Sequence, residues 1–253
     1  MTSVSNAAVG AFLAGNAAAK ARHGMNEAIA RLSTGVRAMY GGDAGGASAS
    51  IAIKADGKSA MIAARNIEDG ISFLQAGESL LLELAALNTR LRELRVQKVN
   101  IDTLSAADIV AIGAEEDEIV KAGNLIDAAE FNGNSLLGSE LAVTYNHDGT
   151  LTTLSSDATI TLASTSVTVI DATTTDIQEA LGEMAAGLSA LKGHQASNYA
   201  LAANFEAAAS RIADTDFARS SANLAKFSIL NQSAMAMVSQ ANQAQAAVLA
   251  VLQ

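Results

Sequence analysis

The chain lacks cysteine, proline and tryptophan, and only 4% of its 253 residues are aromatic. Without cysteine it can form neither a disulfide nor a thiolate nucleophile. Without proline, nothing in the sequence forces a helix to break. Hydrophobic residues nevertheless make up 50% of the chain, and alanine supplies most of them. This composition is typical of long helices that pack closely against each other.

Charged residues are missing from both ends. Every Asp, Glu, Lys and Arg lies between Lys20 and Lys226, so 19 residues at the start and 27 at the end carry no formal charge. The termini of soluble domains are usually solvated, whereas these ends alternate small apolar residues with Asn, Gln and Ser. We therefore expect a subunit whose two ends are buried by assembly. Its net charge of −10 argues against binding to nucleic acid or anionic lipid.

Neither end has the composition of a targeting or membrane segment. The first 19 residues lack the basic start and compact apolar core of a signal peptide. Ten of the last 27 residues are Ser, Asn or Gln, which makes a membrane span a poor interpretation. We expect no membrane partner and no cleavable signal.

Apolar residues recur at alternating intervals of three and four along most of the chain, which predicts helices with coiled-coil seams. The predicted fold is mainly α, a long antiparallel helical coiled-coil bundle formed by both chain ends. The first two predicted helices run from about Val4 to Ala38 and from about Ser48 to Val99. The other three begin at a capping pair formed by Ser105 and Asp108, at a cap at Asp176, and at a cap at Thr215 or Asp216.

Two stretches interrupt the helical pattern. Gly41, Gly42, Gly45 and Gly46 predict a loop up to Ser48 that acts as a hinge. Between about 141 and 170 the period changes to two, and Asp148-Gly149 is in turn position, which predicts a small β-hairpin region. The sequence Phe-Asn-Gly-Asn at 131–134 predicts a further turn.

Six segments, in order along the chain, resemble bacterial flagellin. The first three are RLSTGVR (31–37), similar to the family's RLSSGLR; ARNIEDGISFLQAGESLL (64–81), similar to ARNANDGISLAQTAEGAL; and LRELRVQ (91–97), similar to MRELAVQ. The others are FNGNSLL (131–137), SRIADTDFA (210–218), and ILNQSA with SQANQ (229–234 and 239–243), which resemble FNGxxLL, SRIxDADFA, and ILQQAG with AQANQ. The family's acidic SAKDDAAGLAI stretch is replaced here by GGDAGGASASIAI.

The resemblance implies a structural subunit of the bacterial flagellar filament, exported by the flagellar type III apparatus and self-assembling outside the cell into a helical tube for motility. Residues 1–43 with 212–253 would form an inner tube domain, and 44–211 an outer tube domain. The implied partners are copies of the same chain, an export chaperone, the filament cap and hook-junction proteins. The residues expected at subunit interfaces are Val4, Phe12, Leu224, Val238, Val248 and Leu252.

A basic run on the second helix has two interpretations. Arg90, Glu93, Leu94 and Gln97 match the family segment that is recognised by an innate immune receptor, Toll-like receptor 5, although Arg95 replaces an alanine of the family. The same run, which also includes Arg92 and Lys98, fits ion pairs with the acidic third helix, either between subunits or within the bundle.

No catalytic, cofactor or metal site is expected. The three histidines are far apart in sequence, and no metal-binding or phosphate-binding motif occurs. The consecutive acidic residues at 115–118 would fan around a helix instead of converging on one ion. Two alternatives to a filament subunit stay open, a hook–filament junction protein and a non-polymerising helical-bundle binding protein.

Overall fold

The computed structural model describes the backbone of residues 2–37, 43–156 and 159–251, and the side chains in these ranges except those of residues 2–7, 139, 154–156, 248, 249 and 251. The elements in chain order are α1 (Thr2–Thr34), α2 (Ala44–Val99), α3 (Ala106–Asp127), β1 (Glu130–Phe131), β2 (Asn134–Ser135), β3 (Ser139–Thr144), β4 (Leu151–Ser156), α4 (Val167–Ala213) and α5 (Phe217–Val251). The prediction of a mainly α fold in which both chain ends form a helical pair is confirmed.

The chain divides into two compact units, which we call the terminal unit (residues 1–54 and 205–253) and the central unit (residues 55–204). In both, helices supply most of the structure, and the small antiparallel sheets belong to the central unit. The predicted inner and outer tube domains describe places in a filament, so that division stays a prediction.

In the terminal unit, α1 and α5 pack antiparallel. Gly24 of α1 lies against the ring of Phe227 of α5, and a Cβ atom at this glycine would lie 2.6 Å from the ring. An isolated bridge pairs Val36 with Asp214. Alanines at Ala18, Ala21 and Ala28 are buried along α1, so the two helices approach closely through small side chains.

Capping residues fix the ends of these two helices. Gly35, at φ 70°, ends α1 in the left-handed region that favours glycine, so the prediction that this helix reaches Ala38 is wrong. The N–H of Arg219 donates to Asp216 Oδ1 over 3.0 Å, which confirms Asp216 as the cap of α5.

In the central unit, the predicted apolar stripe of α2 is the centre of the core. Ile67, Leu81 and Leu84 are completely buried, and they pack in one cluster with Met184 and Leu191 of α4. The N-terminus of α3 has the predicted capping box, in which Ser105 and Asp108 bond reciprocally. These hydrogen bonds from the Ser105 hydroxyl and N–H lower the pKa of the Asp108 carboxyl below its usual value.

Two short hairpins follow α3. Strands β1 and β2 are joined by Asn132 (φ 53°) and Gly133 (φ 79°), which is the backbone of a tight Asn-Gly turn. Strands β3 and β4 pair antiparallel with Leu141 opposite Leu154. Gly149, at φ 81°, lies in the turn between them, so the turn predicted at Asp148-Gly149 is confirmed.

The β prediction for 159–170 is wrong. Residues 159–166 have no strand partner among the described residues, and α4 begins at Val167 instead of near Asp176. The N–H of Val169 donates to the Ser166 hydroxyl over 3.2 Å, so Ser166 caps α4. Ile160 and Leu162 are 1% exposed. The period of two therefore marked alternate burial of an extended segment and not sheet pairing.

Leu162 occupies space that only a glycine in α3 leaves free. A Cβ atom at Gly123 would overlap Leu162 Cδ1. We expect Gly123→Ala to lower the free energy of unfolding by about 1–3 kcal/mol, because the packed leucine has to move. Gly193→Ala is the matched control, since its Cβ would meet no atom within 4 Å and alanine favours the helix by about 0.5–1 kcal/mol. Urea unfolding of both variants checks this, and equal midpoints would contradict the close contact.

Candidate assembly surfaces

The terminal helices expose apolar side chains in segments that carry no charge. On α1, Phe12 is 69% exposed and Leu13 62%. On α5, Ile229 is 63% exposed and Met237 58%. Single exposed apolar residues are normal on soluble proteins, but here they coincide with the two charge-free ends of the sequence. Both helices therefore keep apolar surface outside their mutual contact.

The six residues expected at subunit interfaces have different environments. Phe12 is exposed, as an interface residue of a free subunit should be. Leu224 and Val238 are half-buried and share, at helical spacing, the side of α5 that carries Phe227 and the buried Ala234. These two side chains keep part of their surface exposed, so their place at a subunit interface stays a prediction. The side chains of Val4 and Val248, and the whole of Leu252, lie outside the described residues.

Leu13 and Ile229 are exposed apolar residues that were not among the six predicted interface residues. The signal was present, because the buried seam of α1 consists of alanines at intervals of three and seven, Ala18, Ala21 and Ala28. Larger apolar residues beside an alanine seam have to lie outside it.

The predicted hinge falls partly on described residues. Gly45 and Gly46 lie in the first turn of α2, so the prediction of a loop up to Ser48 is wrong. The Asp43 carboxylate accepts from the Gly46 N–H over 2.8 Å and starts the helix there. Gly41 and Gly42 lie outside the described residues, and bending at this place stays a prediction.

The residues matched to the receptor-recognised segment do not all lie on the surface. Arg90, Glu93 and Gln97 are exposed, but Leu94 is 2% exposed. Leu94 therefore belongs to the helix packing and has to be removed from the candidate receptor surface. Arg90 contacts Glu115 at 2.7 Å and Glu93 at 3.1 Å. Hydrogen bonds to these carboxylates raise the pKa of Arg90 above its usual value.

The other cations of this run bind groups within the central unit. Arg92 contacts Asp171 of α4 at 2.7 Å, and that hydrogen bond raises the pKa of Arg92. Arg95 donates to the Thr165 carbonyl over 2.6 Å, and Lys98 Nζ lies 2.6 Å from Glu116 Oε2. Ion pairing within the bundle, the second interpretation of the basic run, is thus confirmed.

A cleft of about 470 Å³ in the terminal unit is lined by arginines and aspartates in equal number, together with Thr215, Ser220 and Asn223. Arg37 and Asp43 pair across it at 2.7 Å. Because the lining charges balance, they select neither an anion nor a cation. In the ranges that the structure describes, no three His, Asp or Glu side chains are grouped so that they could hold a metal ion.

Helix α2 contains one 18-residue window that is apolar enough, at a mean hydropathy of 1.3, to cross a membrane by length and composition alone. One third of that window is buried inside the protein. The core helix of a protein can pass the same test, so this window of α2 is weak evidence for a membrane span.

A helical protein whose terminal helices expose apolar side chains in segments without charge has the features of a self-assembling structural subunit. Comparison with known proteins agrees. Residues 6–141 match the bacterial flagellin N-terminal helical region, and residues 167–252 match the bacterial flagellin C-terminal helical region. The chain belongs to the flagellin family, and it is a structural subunit of the bacterial flagellar filament and not an enzyme.

Relatives match over nearly the full length. The chain is 32% identical to a flagellin of Halalkalibacterium halodurans, over 89% of this chain and 91% of the relative. It is 29% identical to flagellin FlaB2 of Treponema pallidum, over 88% and 91%. It is 28% identical to a flagellin of Bacillus subtilis, over 84% and 88%. These relatives favour the filament subunit over the junction protein and over a bundle that does not polymerise.

Proposed function

We propose that the chain is exported by the flagellar type III apparatus and extends the filament outside the cell by burying the uncovered faces of α1 and α5 against neighbouring copies. The observation that carries this mechanism is the exposure of Phe12, Leu13 and Ile229 in the two end segments of the sequence that carry no charge. Burying such surface is favourable by about 25 cal/mol per Å². The contact joins different patches on successive copies, so it repeats along an open helix.

The distribution of charge supports different places for the two units in the tube. The terminal unit carries eight Lys or Arg and five Asp or Glu, whereas the central unit carries eight and twenty-one. A strongly acidic unit stays solvated at lower cost than an uncharged one. We therefore assign the central unit to the outer tube and the terminal unit, which contains the two uncharged ends of the sequence, to the inner tube.

The remaining partners follow from the same exposed helices. Apolar faces that assembly buries have to be covered before export, which gives a cytoplasmic export chaperone its binding surface on α1 or α5. The filament cap and the hook-junction proteins would meet these faces at the two ends of the growing polymer. The absence of cysteine and proline suits passage of the unfolded chain through a narrow channel.

Seeded elongation tests the proposed assembly. Purified subunits are added to sheared filament fragments of the same chain, and filament length is followed by negative-stain electron microscopy. We expect elongation at one end, at a rate that is proportional to subunit concentration. Subunits that stay monomeric in the presence of seeds would contradict the mechanism.

Recognition by Toll-like receptor 5 is a separate proposal that concerns Arg90, Glu93 and Gln97. We expect Arg90→Ala to lower receptor signalling by the free subunit about tenfold, as loss of a central interface arginine does. Arg95→Ala should raise signalling, because it restores the small residue of the family. Arg92→Ala is the control, since Arg92 pairs with Asp171 on α4. Signalling that is the same for all three variants would contradict the proposed surface.

A further inference from the structure

We propose that Met235 and Met237 form an oxidation-sensitive site, at which a peroxide converts the free subunit into a form that cannot extend a filament. The expected loss of filament extension rests on the proposed assembly through α5. Met235 is 51% exposed and Met237 58%. They lie in the 27-residue charge-free end of the sequence.

The other described methionines are better covered. Met61 of α2 is 39% exposed, Met25 of α1 is half-buried, and Met184 of α4 is 1% exposed. Oxidation of a thioether by a peroxide requires access to the sulfur. The structure therefore ranks the sites, with Met235 and Met237 first and Met184 last.

The positions of the two methionines on α5 explain the expected effect. Ala234, 8% exposed, and the half-buried Val238 lie on the side that packs on α1. At about 100° per residue, Met235 and Met237 lie on the two flanks of that side. Both methionines lie on uncharged surface that the proposed assembly removes from water.

The chemistry needs only the peroxide. The sulfur lone pair attacks one peroxide oxygen, an S–O bond forms, the O–O bond breaks, and with hydrogen peroxide the second oxygen leaves as water. The sulfur is oxidised and the peroxide is reduced. The product, methionine sulfoxide, is polar, so a copy that carries two of them would have to bury unpaired polar groups in the contact. Methionine sulfoxide reductase reverses the change.

The first measurement is the order of oxidation. The full-length subunit is treated with hydrogen peroxide at neutral pH, samples are quenched over time, and peptides are measured by mass spectrometry. We expect Met235 and Met237 to be oxidised at least about tenfold faster than Met184, because the latter is enclosed in the core. Equal rates at the three positions would overturn the proposed site.

The second measurement is seeded elongation, in which each protein is compared with its own untreated sample. Oxidised wild-type subunit should elongate seeds at least about tenfold more slowly, and treatment with the reductase and a thiol should restore the rate. The double variant Met235→Leu with Met237→Leu keeps apolar side chains of similar volume, so peroxide should leave its rate unchanged. Oxidised wild type that elongates normally, or a double variant that loses its rate equally, would overturn the inference. Failure of untreated wild type to elongate would instead contradict the proposed assembly, and the order of oxidation would still test the site.

Discussion

Phe12→Asp is expected to abolish seeded elongation. The helical content of the free subunit should stay the same, and its free energy of unfolding should change by no more than about 0.5 kcal/mol. Phe12 is 69% exposed, so in the free chain the new carboxylate stays in water. In the proposed contact, the same carboxylate would lose its hydration against a segment that offers no cation, at a cost of several kcal/mol for each copy added. Filament length after a fixed time and the circular dichroism of the subunit give the two readouts.

The choice of Phe12 separates assembly from folding. Val238→Asp would also impair elongation, but Val238 is half-buried on the side of α5 that packs on α1, so this variant would also weaken the helix pair. Phe12→Leu is the matched control, because it keeps an apolar side chain at the same position and should elongate. If Phe12→Asp elongated seeds as fast as wild type, the exposed face of α1 would not be part of the contact.

The helical seams were predictable because burial repeats along a regular helix. The α2 stripe through Ile67, Leu81 and Leu84 is buried as expected, since an alternating interval of three and four fixes one face of a helix. The capping box at Ser105 and the cap at Asp216 were also readable, because capping depends on residues close in sequence.

Local preference misled where tertiary contacts decide. The sequence Val-Thr-Val-Ile at 167–170 has strong β preference, yet it forms the first turn of α4, because Ser166 caps it and Ile170 is completely buried. Asn88 on α2 holds this turn by donating to the Ile170 carbonyl over 3.0 Å. A partner 82 residues away cannot be recognised from one sequence.

The candidate interface was only partly predictable for the same reason. Absence of charge marked segments that do expose apolar side chains, but which side of α5 packs on α1 depends on the register of the two helices. Leu94 shows a second limit of prediction from sequence. Similarity to a receptor-recognised segment does not show which of its residues are exposed. Its burial at 2% exposure follows from helical spacing after Leu91, which is also buried.

Glu116 is a carboxylate in an otherwise apolar seam, and it has the largest expected effect on stability among the charged residues of the central unit. It is 1% exposed and lies in α3 four residues after the buried Ile112. Lys98 Nζ lies 2.6 Å from its Oε2 atom, and Arg95 Nη1 lies 3.8 Å from the same oxygen. Among the described residues, none donates a hydrogen bond to its Oε1 atom. One buried carboxylate thus faces two cations on α2.

Glu116→Ala is expected to lower the free energy of unfolding by about 3 kcal/mol. The change would leave two largely covered cations without their counter-charge, and breaking a buried pair on one side is more costly than replacing both sides. For the same reason, the double variant Glu116→Met with Lys98→Met should be more stable than Glu116→Ala.

The control is Glu115→Ala, because Glu115 is 47% exposed in its pair with Arg90 and an exposed pair contributes about 0–1 kcal/mol. Urea unfolding at pH 7, followed by circular dichroism, compares the three variants with wild type. If Glu116→Ala and Glu115→Ala unfolded at the same urea concentration, the buried carboxylate would not hold α3 to α2.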